Sequence, residues 1–204
     1  MNLVNSPYQV TKDLEAALST YTGAPFVVAV NSCTAALLLA LKWDFLRVAY
    51  RSVKFPSRTY CSAPMSALHA GFKVMFEELY WTGSYRIWPT SVWDSARRFT
   101  SGMYIPGQFQ CVSFSASKIL GSEQGGAILC DDEEAYEWFK RMRFDGRTEG
   151  VDPLEEKFDV IGHHCLMIPS VAATLLVRLH HLPKVNADLP FYEYPDLSKH
   201  PAFK

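Results

Sequence analysis

The sequence carries almost no net charge, because 20 Lys and Arg residues nearly balance 21 Asp and Glu residues and leave a formal charge of −1. It therefore lacks the basic surplus that favours nucleic acid or an anionic membrane as a partner. Long apolar runs are missing too: the longest spans residues 35–41, whereas a membrane span needs about 20 residues. The N-terminus shows no basic region followed by an apolar core. We expect neither a targeting signal nor a transmembrane segment.

Paired cysteines are another absence. The chain has five cysteines, an odd number without any C-x-x-C spacing, at Cys33, Cys61, Cys111, Cys130 and Cys165. This pattern argues against a disulfide framework and a zinc site, and it favours a reducing cytoplasm. A hydrophobic content of 49% with 20% charged residues is that of a globular domain. The expected partner is a small molecule or another protein.

Apolar strand patterns alternate with helical patterns along most of the chain. Helices are predicted over residues 8–21, 35–43, 62–70, 133–144 and 169–182. Strands are predicted over residues 26–30, 51–55, 73–77, 110–115 and 126–130, with a further short strand within residues 87–94. This order predicts an α/β fold with a mostly parallel sheet flanked by helices. The closely spaced prolines from Pro183 onward predict an extended or irregular tail. We therefore divide the chain into a domain of residues 1–183 and a tail of residues 184–204.

Lys118 is the residue with the clearest chemical signature. It lies among small hydroxyl residues and glycines, in the run Cys111-Val-Ser-Phe-Ser-Ala-Ser-Lys118-Ile-Leu-Gly-Ser-Glu-Gln-Gly-Gly126. An amine that condenses with an aldehyde cofactor needs small neighbours, a phosphate cradle and a partner for the pyridine nitrogen. Lys118 is thus a candidate Schiff-base lysine. The alternative is a solvated lysine in a turn, although its stem would here lie against the fold.

Capping residues before an apolar helix offer a phosphate cradle, since backbone N–H groups at a helix N-terminus bind anions. These residues are Ser32, Cys33 and Thr34. The alternative is an ordinary N-cap.

Two more side chains suit a planar, nitrogen-containing ring. Asp94 ends an apolar strand and could keep a pyridine nitrogen protonated. Its alternatives are a cap of the following helix and an ion pair with Arg97. Tyr60 could stack on the ring, or it could belong to the hydrophobic core.

The joint order of these segments resembles the DegT/DnrJ/EryC1/StrS family of sugar aminotransferases, within the fold-type I pyridoxal-phosphate enzymes. Residues 26–37 resemble the family's strand and Asn-Ser-Gly-Thr-x-Ala-Leu turn, with Cys33 where glycine is usual. Residues 55–60 resemble its Pro-Ser-x-Thr-aromatic segment, and residues 93–96 resemble its Asp-Ala-Ala motif. Residues 113–118 resemble Ser-Phe-x-x-x-Lys, and paired glycines follow at positions 125 and 126.

The resemblance implies a pyridoxal 5′-phosphate site. In it Lys118 forms the Schiff base, Asp94 holds the pyridine nitrogen and Tyr60 stacks on the ring. Ser113 binds phosphate together with the turn formed by Ser32, Cys33 and Thr34.

Two site positions depart from the family pattern. Arg97 stands where the family usually has Gln or His near the ring oxygen, and a fixed cation there would stabilise a phenolate. Residues 161–167 resemble Gly-x-Asn-x-Arg-Met, whose Asn reaches the phosphate bound by the partner subunit. His164 occupies that position here, which implies a homodimer with a cross-subunit contact.

The function implied is amino transfer from an amino acid to a keto sugar nucleotide. Only fifteen residues separate Glu78 from Asp94, too few for the family's extra helix and strand, and a proline-rich tail stands where the family has a C-terminal domain. Two alternatives therefore stay open. One is a pyridoxal-phosphate-binding protein with weak or no transaminase activity, and the other is a subunit partner of a full-length paralogue.

Overall fold

The computed structural model describes residues 8–203. This part of the chain forms five α-helices, seven strands and two short 3₁₀ helices. In chain order they are α1 (Gln9–Thr22), β1 (Phe26–Val30), α2 (Cys33–Arg47), β2 (Ser52–Pro56), α3 (Ser62–Ala70), β3 (Lys73–Glu77), β4 (Tyr85–Arg86), β5 (Val92–Asp94), β6 (Phe109–Ser113), β7 (Gly126–Cys130), α4 (Glu133–Met142), α5 (Pro169–His181) and the 3₁₀ helices Leu197–Lys199 and Pro201–Phe203. No helix among these residues is both long and apolar enough to cross a bilayer.

The main sheet has five strands in the order β1-β7-β6-β5-β4. Strands β1, β5 and β6 run in one direction, while β7 lies antiparallel between β1 and β6, and β4 lies antiparallel to β5. Strands β2 and β3 form a separate parallel pair, and an isolated bridge joins Lys54 of β2 to Trp88 in the segment between β4 and β5. The predicted α/β fold with a sheet flanked by helices is confirmed. The pairing is mixed rather than mostly parallel, because β7 separates two strands of the same direction.

Helices cover both faces of the main sheet. Alternate residues of β1 show this: Val28 and Val30 belong to the core under α2, α3 and α4, whereas Val27 and Ala29 belong to the core under α1 and α5. Every residue of β7 is buried, because a strand covered on both faces has no solvent side. Because helices cover both faces, the part of the sheet that stays uncovered is where the same-direction strands β1, β5 and β6 end.

The tail after α5 is irregular, as its prolines predict, and it packs on this chain. Arg98 pairs with Asp188 at 2.6 Å, and the Leu197 N–H donates to the carbonyl of Ser57 at 2.8 Å. Leu197 is buried. The tail thus crosses the domain surface between two fixed points.

Candidate functional site

A cavity of about 960 Å³ opens where β1, β5 and β6 end. Ligands of open α/β sheets bind at such carboxyl ends. Eight of the nine residues predicted for the site line this cavity: Ser32, Cys33, Thr34, Tyr60, Asp94, Arg97, Ser113 and Lys118. Segments that are far apart in the sequence therefore meet at one place.

The turn after β1 places the N-terminus of α2 at the cavity. The Ser32 Oγ accepts a hydrogen bond from the Ala35 N–H at 3.1 Å, so the N-cap interpretation of Ser32 is confirmed. The N–H groups of Cys33 and Thr34 come before that bond and have no acceptor within the helix. N–H groups in this position at a helix N-terminus suit an anion beside the cavity.

Close packing against β7 fixes the position of this turn. A Cβ atom added to Gly126 would lie 2.4 Å from the Cys33 nitrogen and 2.5 Å from the Ser32 carbonyl carbon. Both neighbours are backbone atoms, so only glycine lets the turn approach the strand this closely. Steric overlap with the turn thus explains why the second of the paired glycines, Gly126, cannot be a larger residue.

The loop after β6 carries the lysine. The Lys118 N–H donates to the Ser115 carbonyl at 2.9 Å, and a Cβ atom at Gly121 would lie 2.8 Å from the Ala116 carbonyl oxygen. The loop is therefore a tight turn that needs glycine. Ser113, the last residue of β6, has its Oγ 3.4 Å from the Oγ of Ser115.

Lys118 is half-buried, and burial lowers the pKa of its amine. Asp94 opposes this shift, whereas the charge of Arg97 lowers the pKa further. Compared with an exposed lysine, more of the amine is neutral at any given pH, and a neutral amine is the nucleophilic form. Lys118 lies in a turn and is only partly solvated, and its role as the Schiff-base lysine stays a prediction.

Asp94 is almost fully buried, with 4% of its surface exposed. Its Oδ1 accepts from the Ala96 N–H at 3.0 Å, and its Oδ2 accepts from the Tyr85 hydroxyl at 3.0 Å. Because a turn and then β6 follow Asp94, the interpretation of this residue as a helix cap is wrong. Burial raises the pKa of Asp94, while these two donors and the charge of Lys118 lower it. Among the described residues, Asp94 makes no ion pair with Arg97. The carboxyl group is held rigidly and keeps acceptor capacity for a ring N–H.

Tyr60 and Arg97 lie at the mouth of the cavity. Tyr60 is 60% exposed, so the interpretation of its ring as hydrophobic core is wrong. The Arg97 Nε donates to the carbonyl of Pro190 at 3.0 Å, which directs its guanidinium along the tail. Both side chains are available to a ligand in the cavity.

His164 lies away from the cavity of its own chain. It is 78% exposed, and its Nδ1 lies 2.9 Å from the Oδ2 of Asp145. Its contact with a partner subunit stays a prediction.

Some residues that line or support the site are not among the predicted site residues. Tyr85 and Thr59 support Asp94, since the Thr59 Oγ1 lies 2.8 Å from the Tyr85 hydroxyl. The tail contributes a further group of lining residues, Leu189, Tyr192, Tyr194, Pro195 and Leu197. Thr59 belongs to the motif that contains Tyr60, whereas tertiary packing alone brings Tyr85 and the tail residues to the site.

Comparisons with known proteins agree with this geometry. The sequence matches the DegT/DnrJ/EryC1/StrS aminotransferase family over residues 2–92 and 101–189. A sequence comparison with curated proteins finds no relative.

Solved structures show the same fold. AtS13 from Actinomadura melliaura is 20% identical with a TM-score of 0.75, and the match covers 86% of this chain and 60% of AtS13. The PMP form of Spr1654 from Streptococcus pneumoniae is 24% identical with a TM-score of 0.68, covering 85% of this chain and 59% of Spr1654. Helicobacter pylori PseC, an aminotransferase of pseudoaminic acid biosynthesis, is 18% identical with a TM-score of 0.71, covering 88% of this chain and 59% of PseC.

This chain matches about 60% of the length of those structures. The match to the family extends over both sides of the cavity, because its two segments contain the turn after β1 and the Lys118 loop. The chain therefore belongs to the DegT/DnrJ/EryC1/StrS aminotransferase family.

Proposed function

We propose that the chain binds pyridoxal 5′-phosphate in the Lys118 cavity and transfers an amino group from an amino acid to a keto sugar nucleotide. One observation carries the proposal: Lys118, Asp94 and the N-terminus of α2 line the same cavity. Each supplies a different part of what this cofactor needs. The sugar as acceptor follows from similarity to sugar aminotransferases such as Spr1654.

The residues of the cavity fit the cofactor. The N–H groups of Cys33 and Thr34, with the hydroxyl of Ser113, would hold the phosphate. Tyr60 would lie on the ring, and Asp94 would accept from the ring nitrogen. Lys118 would hold the aldehyde carbon covalently through its amine.

When bound, pyridoxal phosphate would supply an electron sink for a carbanion next to nitrogen. Lys118 would move the proton. Because burial lowers the pKa of this amine, a larger share of it is neutral and able to take a proton from a substrate carbon and return it. Asp94 would keep the ring nitrogen protonated, since its own position is fixed by the Tyr85 hydroxyl and the Ala96 N–H.

The proposal includes a homodimer in a reducing, cytoplasmic compartment. The segment that carries His164 also presents apolar side chains to solvent, with Leu154 95% exposed and Ile161 90% exposed. An apolar surface of this kind favours a protein partner. The five cysteines are free, in keeping with a reducing environment.

Absorbance spectra test the cofactor proposal. We expect the visible band of lysine-linked pyridoxal phosphate in the native protein, and no such band in Lys118→Ala. Lys73→Ala is the matched control, because Lys73 is exposed on β3, away from the cavity. A native protein without the band after incubation with the cofactor would refute the proposal.

A binder with weak or no transferase activity is the second candidate. It is favoured by the short connection between Glu78 and Asp94, which contains only the two-residue strand β4 before β5 begins, so fewer elements surround the substrate. Glutamate addition separates the two functions. Conversion to the pyridoxamine form supports the transferase, and a persistent lysine-linked band supports the binder.

A further inference from the structure

Residues 188–197, which we term the tail wall, close one side of the cavity. Two anchors hold this segment. At its start, Arg98 binds Asp188 through two nitrogens, at 3.0 Å from Nε and 2.6 Å from Nη2. At its end, the Leu197 N–H donates to Ser57 at 2.8 Å. The residues between the anchors are therefore kept at a fixed distance from the domain.

Aromatic hydroxyl groups lie between these anchors, on the cavity side. Tyr192 and Tyr194 line the cavity, with ring centroids 4.7 Å apart. The carbonyl of Tyr194 accepts from the Arg58 Nη1 at 2.9 Å, which fixes the backbone at this residue. Tyr194 also packs edge-on against Tyr60 at 6.3 Å. The tail wall thus presents phenol groups opposite the ring of Tyr60.

Arg97 is the cation beside these phenols. Its guanidinium lies 5.9 Å from the centroid of the Tyr192 ring. No carboxylate among the described residues forms a salt bridge with Arg97. The Nε is occupied by the Pro190 carbonyl, so the terminal nitrogens remain for the Tyr194 hydroxyl and for an anion. A guanidinium presents paired N–H groups that match the two oxygens of a carboxylate.

The hydroxyl of Tyr194 can add to such a site as a donor. Burial raises its pKa, while the charge of Arg97 and a hydrogen bond from that side chain lower it. The net effect is a pKa above the ordinary value of a phenol. The hydroxyl therefore keeps its proton at neutral pH and donates to an anion rather than repelling it.

We propose that Arg97 and Tyr194, with Tyr192 as a neighbouring wall, form the subsite that binds the carboxylate of the amino donor. This inference rests on the function proposed above. It makes the tail wall part of the substrate site and assigns the family-atypical arginine at position 97 to donor binding.

Distance from the reacting amine favours a carboxylate over a nucleotide diphosphate. In an amino acid, the carboxylate is bonded to the carbon that carries the amine. In a sugar nucleotide, a sugar ring can separate the diphosphate from the reacting carbon. Arg97 is close enough to Lys118 for its charge to act on that amine. Arg97 and Lys118 line the same cavity, so an anion bound at Arg97 shares that cavity with the reacting amine, as the carboxylate of an amino acid would.

The test uses glutarate, a dicarboxylate without an amine, so that binding is measured without any reaction. Titration calorimetry is carried out on the protein with and without pyridoxal phosphate. We expect Arg97→Gln to weaken glutarate binding by about tenfold or more, because a charge-assisted hydrogen bond is lost. Tyr194→Phe removes one hydroxyl and should weaken binding by about threefold to tenfold.

Tyr80→Phe is the matched control, since Tyr80 stacks on Phe191 of the tail wall but lies outside the cavity lining. It should leave glutarate affinity unchanged. Circular dichroism and melting curves establish that each variant is folded. Tyr194→Phe keeps the ring packing, so it tests the subsite even if Arg97→Gln is unstable.

Two results would overturn the subsite. One is native glutarate affinity in folded Arg97→Gln and Tyr194→Phe. The other is weaker binding of uridine diphosphate, but not of glutarate, in those variants, which would assign Arg97 to the sugar nucleotide. The cofactor band is read separately: its absence refutes the proposed function, whereas glutarate titration of the cofactor-free protein still decides the subsite.

Discussion

Replacing Gly126 with alanine tests whether the turn after β1 must pack against β7. The added Cβ atom would meet the Cys33 nitrogen at 2.4 Å and the Ser32 carbonyl carbon at 2.5 Å. To reach ordinary van der Waals contact, the turn has to move by about 1 Å. The backbone N–H groups that face the cavity move with it.

Gly126→Ala should change two quantities, the stability of the domain and its affinity for the cofactor. Overpacking of this kind costs about 1–3 kcal/mol in the free energy of unfolding. Displaced phosphate donors should in addition weaken pyridoxal phosphate binding by about tenfold or more, because charge-assisted hydrogen bonds depend steeply on geometry. Urea denaturation measures the first quantity, and cofactor titration followed by absorbance measures the second.

Gly102→Ala is the control that separates steric overlap from backbone strain. Gly102 has a φ of +67°, and a Cβ atom added there would have no neighbour within 4 Å, so alanine is strained at this position without any overlap. We expect a stability loss of about 1–2 kcal/mol and unchanged cofactor affinity. Native cofactor affinity in Gly126→Ala would refute the steric reasoning.

Three further predictions concern the cavity and the tail wall. Burial lowers the pKa of Lys118 below its ordinary value of 10.5. The yield of the borohydride-trapped adduct with pyridoxal phosphate, measured against pH, should therefore rise at a lower pH for the protein than for a free lysine derivative. An equal or higher midpoint pH for the protein would contradict this prediction. Exposed Cys61 should react with iodoacetamide before Cys33, because burial raises the pKa of the Cys33 thiol well above its ordinary value. Mass spectrometry should show that the fast reaction is lost in Cys61→Ser. A fast reaction that persists in this variant would show that Cys61 is not the reactive thiol. Arg98→Ala should speed proteolysis within residues 184–196 by about fivefold, since a partly exposed ion pair contributes about 1 kcal/mol; an unchanged cleavage rate would show that this pair does not anchor the tail.

Local patterns predicted the regular elements well. The strands Phe26–Val30, Lys73–Glu77 and Gly126–Cys130 have the predicted bounds, because short apolar runs are bordered there by turn residues. Helix α2 begins before its predicted range because its first turn contains residues that were assigned to the cap, and it also continues to Arg47 at its C-terminal end. The short strand predicted within residues 87–94 is β5, Val92–Asp94, whereas the two-residue strand β4 before it was not predicted. A strand of two residues has no periodicity to detect.

The candidate site was predictable where its residues end strands. Asp94 and Ser113 close two neighbouring parallel strands, so their meeting follows from the α/β pattern. Tyr85 was missed because its contact with Asp94 depends on antiparallel pairing of β4 with β5. The tyrosines at 192 and 194 were missed because proline spacing predicts an irregular tail and says nothing about the surface on which it lies.

Gly126 lies opposite Val30 on one side and Ser113 on the other in the register of the sheet. The turn after β1 and the end of β6 are thus joined through the first residue of β7. Local opening cannot release one without disrupting β7, so amide hydrogen exchange there should follow global unfolding. Any ligand held between these strands would, by linkage, stabilise the whole domain rather than a loop.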